Sequence, residues 1–170
     1  MQGGVQLDGS HPTFEVKLQT FSAGTRRFVN ACMAVEENVI GDFDQAVLLG
    51  SFQLSVSDLI WRLSMHPCIV FDDGENLDVA FNALYDAAWK GELDAVSRLV
   101  GRKCTVHEAK LCVAIPIGVE AFDGESAFSF NVGNCHYFVW REWESKSIKW
   151  IRIERTQLIA EFEAALQRLD

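Results

Sequence analysis

The spacing of apolar residues changes along this chain in an order that constrains its fold more than any other feature. Residues 14–21 begin by alternating apolar and polar side chains, which is typical of a half-buried strand. Turn residues at 22–25 separate this segment from a second strand predicted over 27–35. After a short break, Val39 and Ile40 are expected to continue the sheet, and a further strand is predicted over 45–49. The chain therefore begins with strands joined by short links.

The middle of the chain has helical spacing instead. Leu59 and Leu63 fall on one helical face, which predicts a helix over 54–63 that is capped by Ser55 or Ser57. Pro67 is expected to end this helix, and Cys68 to Phe71 to form a short strand. Two more helices are expected to follow, one from the cap residue Asn76 to Gly91 and one from Leu93 to Gly101.

The last third returns to strands and closes with a helix. The predicted strands are 111–115, 119–122, 127–132, 135–143 and 147–153, and Gly133-Asn134 is a hairpin signal. Thr156 is expected to cap the final helix. Strands and helices that are grouped separately indicate an α+β fold with a mainly antiparallel sheet, a helical middle segment and a C-terminal helix packed on the sheet. With 170 residues, we expect a flexible lead-in at 1–12 and a single domain over 13–170.

Several features bear on the compartment. No apolar run approaches the roughly 20 residues of a membrane-spanning helix. The start of the chain lacks the basic and apolar regions of a signal peptide. Five cysteines, an odd number, are widely spaced and indicate free thiols in a reducing cytosol. We therefore expect a cytoplasmic protein without a membrane partner.

Charge is concentrated in one third of the chain. The net charge is −9, and residues 36–94 carry twelve carboxylates against Arg62 and Lys90, which leaves that stretch at −10 and the remainder at +1. Nucleic acid is a poor partner for such a surface, because binding it requires Lys and Arg at the phosphates. Two interpretations stay open: a solvated face that aids solubility, or a docking surface for a basic protein.

Catalytic and cofactor motifs are not found in the sequence. It contains no phosphate-binding glycine loop, no dinucleotide fingerprint, no nucleophile elbow, no zinc-protease motif and no C-x-x-C. We therefore expect no cofactor, no metal and no enzymatic activity. Three weak candidates for a site have ordinary structural roles as their alternatives: a metal at Cys104, His107 and Cys112 beside Glu108, a hard cation at residues 72–75, and a thiol–imidazole pair at Cys135-His136.

Tryptophans cluster near the C-terminus. Trp140, Trp143 and Trp150 fall on the predicted final hairpin, and Trp140 and Trp143 should face opposite sides of a regular strand. Core packing is one interpretation, and an exposed recognition anchor is the other.

A family resemblance follows from several of these segments. Residues 39–44, Val-Ile-Gly-Asp-Phe-Asp, followed by Leu48-Leu49-Gly50 and the helix ending at Leu63, resemble the immunity proteins of bacterial polymorphic toxin and contact-dependent growth inhibition systems, in particular the immunity family numbered forty-two. Those chains open with a strand pair, carry a Gly-Asp-aromatic-acid turn, and close with an aromatic strand pair and a helix. Segments 14–21, 41–44, 56–63 and 128–153 match that layout.

The resemblance implies a protein that binds a cognate toxin domain and blocks it. Such toxins are often nucleases and therefore often basic, so the expected partner is the toxin's C-terminal domain, bound through the acidic surface. The expected charge contacts are Asp42, Asp44, Asp72, Asp73, Glu75 and Asp78, with Phe43 as a candidate anchor. Two alternatives remain: an adaptor or chaperone that holds a secreted effector in an apolar groove, and a small enzyme that uses Cys135 or Cys104.

Overall fold

The computed structural model describes residues 12–65 and 69–170. Almost all of the expected lead-in, 1–12, lies outside the described residues, as do Pro67 and Cys68. The described chain is α+β, as predicted. It contains two sheets of four strands each, and helices lie over both of them.

The first sheet is antiparallel throughout. A long hairpin pairs β1 with β2, and two three-residue strands, β3 and β4, pair with successive parts of β2. The four strands are β1 (Phe14–Ala23), β2 (Arg26–Val35), β3 (Asn38–Ile40) and β4 (Ala46–Leu48). Alternate residues of β2, such as Val29 and Met33, are fully buried and form the inner face of the sheet.

Two long helices cover this inner face. They are α1 (Leu49–Ser64) and α5 (Arg155–Gln167), which pack against each other and against β2 and β1. Phe162 of α5 contacts Phe14 of β1 edge to face, with 5.6 Å between ring centroids. Phe14 also contacts Phe138 of the second sheet at 5.3 Å, so one hydrophobic core continues from the first sheet to the second.

The second sheet contains the one parallel pair within the described residues. Its order is β5-β6-β7-β8, with β5 parallel to β6 and the other pairs antiparallel. The strands are β5 (Val70–Phe71), β6 (Ala127–Val132), β7 (Cys135–Arg141) and β8 (Ile148–Arg152). β6 lies between two neighbours and is buried along nearly its whole length.

Short helices connect β5 to β6. They are α2 (Leu77–Tyr85), a π-helical segment (Asp86–Lys90), α3 (Asp94–Val100), α4 (Val106–Leu111) and a 3₁₀ turn (Glu120–Phe122). Asn76 caps α2 as predicted, because its side chain accepts hydrogen bonds from the N–H groups of Asp78 and Val79. Gly91 and Gly101 end the π-helical segment and α3 in the left-handed conformation.

Four local predictions are wrong for identifiable reasons. The first helix begins at Leu49, because its buried stripe already includes Leu49 and Phe52. Both expected caps, Ser55 and Ser57, lie inside this helix, and Ser55 donates its hydroxyl to the carbonyl of Ile117. The predicted strand 111–115 starts inside α4 and retains one bridge to β6. The predicted strand 119–122 is the 3₁₀ turn. The final helix has Glu154, not Thr156, at its N-cap.

Arg62 is a buried charge that the sequence pattern did not single out. Its side chain lies on the inner side of α1, where Nε pairs with Asp58 at 2.9 Å. Nη1 donates to the carbonyl of Val113, and Nη2 donates to that of Ile115 at 3.0 Å. Burial lowers the pKa of Arg62, and the contact with Asp58 opposes this. The guanidinium therefore connects the segment after α4 to α1, and these bonds offset the cost of burying its charge.

His136 completes a second buried hydrogen-bond chain. Nδ1 donates to the carbonyl of Ile153 at 2.7 Å, so Nε2 of the neutral ring accepts from the hydroxyl of Ser129, also at 2.7 Å. Burial lowers the pKa of His136, which favours this neutral form. The chain links β6, β7 and the end of β8.

The two sheets meet at the turn after β3. The N–H of Gly41 donates to Oε1 of Glu125 at 2.9 Å, and the N–H of Asp42 donates to the carbonyl of Ala121 at 2.6 Å. Gly41 has φ +96°, and a Cβ there would lie 2.8 Å from the ring of Phe122. Glycine is therefore required at this position for both backbone conformation and space.

Within the described residues, no helix combines the length and the apolarity needed to cross a bilayer.

Replacing Gly41 by alanine should destabilise the fold sharply. We expect Gly41→Ala to lower the free energy of unfolding by about 3 kcal/mol, because left-handed strain is added to a clash with Phe122. Gly24→Ala is the matched control: Gly24 also has positive φ (+63°) but open space around it, so we expect a loss of about 1 kcal/mol. Urea unfolding of both variants measures the difference, and equal losses would contradict this account of the junction.

Candidate functional site

A wide surface concavity lies at the junction of the two sheets. It is a groove of about 590 Å³ between the turn after β3, the 3₁₀ turn with the residues that follow it, and the connection from β7 to β8. We call it the acidic groove. Its lining includes seven carboxylates and one base, Arg141; the acidic residues are Glu37, Asp42, Glu120, Asp123, Glu125, Glu142 and Glu144.

The cations near the groove are largely engaged. Arg141 stacks on Tyr85, with 4.7 Å from its guanidinium to the ring centroid, and donates to Asn82. Lys149 pairs with Glu142 at 2.7 Å, and Lys146 lies over the ring of Trp143. Even when all three cations are counted, the carboxylates of the groove outnumber them by four. The groove therefore attracts positively charged groups.

Glu125 is a carboxylate of the groove whose pKa is shifted by burial. It lies half-buried, and burial raises its pKa above the ordinary value, while the Gly41 N–H and the charge of Lys146 oppose this rise. Oε1 accepts the Gly41 hydrogen bond, and Oε2 makes no hydrogen bond within the described part of the chain. A cation in the groove would stabilise the ionised form of Glu125.

Trp143 lies at the edge of the groove with 58% of its surface exposed. Its ring rests on the backbone of Gly124, where an added Cβ would lie 2.8 Å from the indole. The ammonium of Lys146 lies 4.1 Å from the centroid of this ring. The other tryptophans of the predicted hairpin differ from it: Trp140 is buried and Trp150 is half-buried against Tyr137. Of the three, Trp143 has the exposure expected of a recognition anchor.

The first group of predicted contact residues lies at this groove or beside it. Asp42 lines the groove, and its Oδ1 accepts from the N–H of Asp44 at 3.0 Å. Asp44 is exposed next to it, outside the lining. Phe43 is half-buried and also outside the lining. The turn that suggested a family resemblance therefore supplies one wall of the groove through Asp42.

The second group, Asp72, Asp73, Glu75 and Asp78, lies elsewhere. Phe71 pairs with Val132 at the far end of β6, and the side chain of Asp73 contacts Gly133 just beyond that end. Glu125 and the groove lie at the opposite end of the same strand, which is about 17 Å long. Residues 72–75 therefore form an acidic patch apart from the groove, while Asp78 lies one turn of α2 before Asn82, which accepts a hydrogen bond from Arg141 of the groove.

The weak metal candidates have other roles. The sulfurs of Cys104 and Cys112 point to backbone carbonyls, His107 is exposed, and Glu108 forms a capping box with Thr105. Residues 72–75 form the turn that leads into α2, where the N–H of Glu75 donates to the carbonyl of Asp72. Across residues 12–65 and 69–170, no group of three or more His, Cys, Asp or Glu side chains could hold a metal ion.

The thiols and the Ser129–His136 pair also lie away from the groove. Cys104 is fully buried, and burial raises the pKa of its thiol, which opposes thiolate chemistry. Cys135 is half-buried next to His136, but the imidazole is bound to Ser129 and Ile153. Ser129 and His136 are each 7% exposed, and the cavity beside them measures about 30 Å³, close to the room that one water requires.

Sequence reasoning missed most of the groove. Glu120, Asp123, Glu125, Glu142 and Glu144 lie outside the acidic stretch 36–94. One local signal was present: Glu142 and Glu144 flank Trp143, a pattern that places two carboxylates around an aromatic ring.

Neither a protein-family model, nor a curated protein, nor a solved structure matches this chain.

Glu125→Gln should stabilise the protein at neutral pH. The raised pKa means that folding disfavours the ionised form, so the wild type loses stability as pH rises from the ordinary value of 4.5 through the raised folded value. Glutamine keeps an acceptor for the Gly41 N–H and carries no charge. We therefore expect an advantage for Glu125→Gln at pH 7 that shrinks toward pH 4, measured by urea unfolding at each pH.

Glu125→Ala serves as the comparison for this prediction. It removes the same charge and also the acceptor for the buried Gly41 N–H, which costs about 1 kcal/mol or more. If Glu125→Gln were less stable than the wild type at pH 7, burial would not be the dominant influence on this carboxylate.

Proposed function

We propose that this chain is an immunity-type inhibitor that binds a basic region of a toxin domain in its acidic groove. The observation that carries the proposal is the groove itself, in which seven carboxylates face one stacked arginine at the junction of the two sheets. The resemblance of several segments to immunity proteins of polymorphic toxin systems suggests the class of protein. The groove is the surface that we propose binds the toxin. The toxin of this proposal is a nuclease.

Charge supports an inhibitor of a nucleic-acid enzyme in particular. A nuclease needs positive charge where it holds phosphates, and a surface of opposite sign can cover that region. Three carboxylates of the groove, those of Glu120, Asp123 and Glu144, are exposed and make no hydrogen bonds within the described chain. They are free to pair with lysines or arginines of a partner, and steering by such charges accelerates association.

Trp143 gives the proposed interface an anchor. Tryptophan is enriched among the interface residues that dominate binding energy. Here the ring is held between Gly124 and Lys146, so little side-chain freedom would be lost on binding.

The cytoplasm is the proposed compartment. Cys32, Cys104, Cys112 and Cys135 are free thiols in the described residues, which suits a reducing environment. An inhibitor that protects the producing cell would act in that same compartment.

Reversing charge in the groove should abolish protection. The chain is used as bait in a lysate of its source cell, the toxin that it captures is identified by mass, and the C-terminal domain of that toxin is co-expressed with the chain while growth is measured. We expect the wild type to restore growth and the triple variant Glu120→Lys, Asp123→Lys, Glu144→Lys to fail. In purified form, the affinity of the triple variant for the toxin domain should fall by about 100-fold at low salt, and less at high salt.

The second acidic patch provides the matched control. The triple variant Asp72→Lys, Asp73→Lys, Glu75→Lys changes net charge by the same amount at the other end of β6 and should still protect. Circular dichroism melting verifies that both variants fold. Protection by the groove variant, or its loss in the control variant alone, would refute the assignment of the groove. Failure of the wild type to protect against that domain would refute its role as the cognate inhibitor.

A further inference from the structure

A second concavity adjoins the acidic groove and has a different chemistry. It measures about 320 Å³, and its walls include Tyr85, Trp89, Pro116, Ile117 and Phe122. We call it the aromatic pocket. Trp89 and Ile117 leave 44% and 40% of their surfaces in solvent. Large apolar side chains that are exposed around a concave site mark binding surfaces more often than scattered ones do.

An unusual backbone segment presents Trp89 to this pocket. Trp89 belongs to the π-helical segment that follows α2, in which Ala87 and Ala88 face the core while Trp89 is exposed. Segments with π-helical hydrogen bonds are rare, and they occur frequently at functional sites. The π-helical segment thus places the Trp89 side chain at the surface while Ala87 and Ala88 stay buried.

Arg141 holds the neighbouring wall in place. Its guanidinium lies 4.7 Å from the ring centroid of Tyr85 and 5.1 Å from that of Phe81. It also donates to Asn82 at 3.0 Å. Tyr85 is therefore clamped from β7 before any ligand arrives, and a preformed wall reduces the entropy lost on binding.

The aromatic pocket and the acidic groove share two carboxylates. Asp123 and Glu125 line both concavities, and Oε2 of Glu125 makes no hydrogen bond within the described residues. A lysine or arginine bound at these carboxylates would lie at the boundary between the two. Side chains two residues apart on an extended segment lie about 7 Å from each other on the same face. A residue close in sequence to that cation can therefore reach the pocket.

We propose that the partner segment bound in the acidic groove carries a large apolar side chain within about two residues of a lysine or arginine, and that this side chain occupies the aromatic pocket. This inference rests on the proposed function and specifies the chemistry of the partner. The carboxylates accelerate association with basic segments in general, and the aromatic pocket selects those with an apolar residue in the correct position.

Two charge-matched peptides test the inference by isothermal titration calorimetry on the full chain. Both are blocked at their ends, with the sequences Lys-Lys-Leu-Lys-Lys-Lys and Lys-Lys-Gly-Lys-Lys-Lys. We expect the leucine peptide to bind the wild type about fivefold more tightly or better, at low and at moderate salt alike, because burial of leucine depends little on ionic strength. Trp89→Ala should reduce this ratio to about one and leave the affinity for the glycine peptide unchanged.

Trp61→Ala is the matched control variant. Trp61 is 52% exposed on α1 and does not line the pocket, so its removal should preserve the preference for leucine. Equal affinity of the wild type for both peptides, or an unchanged ratio in Trp89→Ala, would overturn the inference and leave the acidic groove standing. If neither peptide binds, or if the triple variant of the groove binds both as the wild type does, the groove proposal itself fails together with the inference.

Discussion

Hydrogen bonds donated by two neighbouring backbone N–H groups of one turn position the whole candidate site. The N–H groups of Gly41 and Asp42, between β3 and β4 of the first sheet, reach Glu125 and Ala121, which precede β6 of the second sheet. The close approach of Gly41 to Phe122 leaves no room for a side chain, so the two sheets meet with their acidic turns side by side. A further bond from Lys149 of β8 to Asn38 of β3 joins the sheets at the same place. The groove exists because these links bring distant carboxylates together.

The groove also concentrates charge beyond the structural bonds of Glu125 and Glu142. Carboxylates that face one another repel, and burial of Glu125 adds a desolvation cost to its ionised form. The buried guanidinium of Arg62, by contrast, donates hydrogen bonds to Asp58, Val113 and Ile115. Natural proteins commonly retain such unfavourable arrangements where binding requires them, at some cost in stability. The contrast between Arg62 and the groove supports binding as the role of the groove.

Local patterns predicted most of the strands and helices but only one wall of the candidate site. Alternation at 14–21 and the cap at Asn76 depend on neighbours within a few residues, so the sequence alone reveals them. The conformation of residues 111–115 depends on a bridge to β6 and on the hydrogen bond from Arg62. These contacts and the 3₁₀ turn at 120–122 involve residues distant in sequence, so no local pattern predicts them. The groove depends on a bond between Gly41 and Glu125, which are 84 positions apart, so no local pattern predicts it. The charge distribution along the sequence favoured residues 72–78 as contacts, and Asp73 of that segment lies at the other end of β6.

The most direct test of the central claim is a map of where a basic ligand contacts the chain. Amide and indole signals of the ¹⁵N-labelled protein are followed by NMR during titration with hexalysine at low salt. The account predicts shifts at Gly41, Asp42, Glu125 and the indole N–H of Trp143, all saturating with one affinity. Shifts confined to residues 72–78, or spread evenly over the exposed acids, would contradict it.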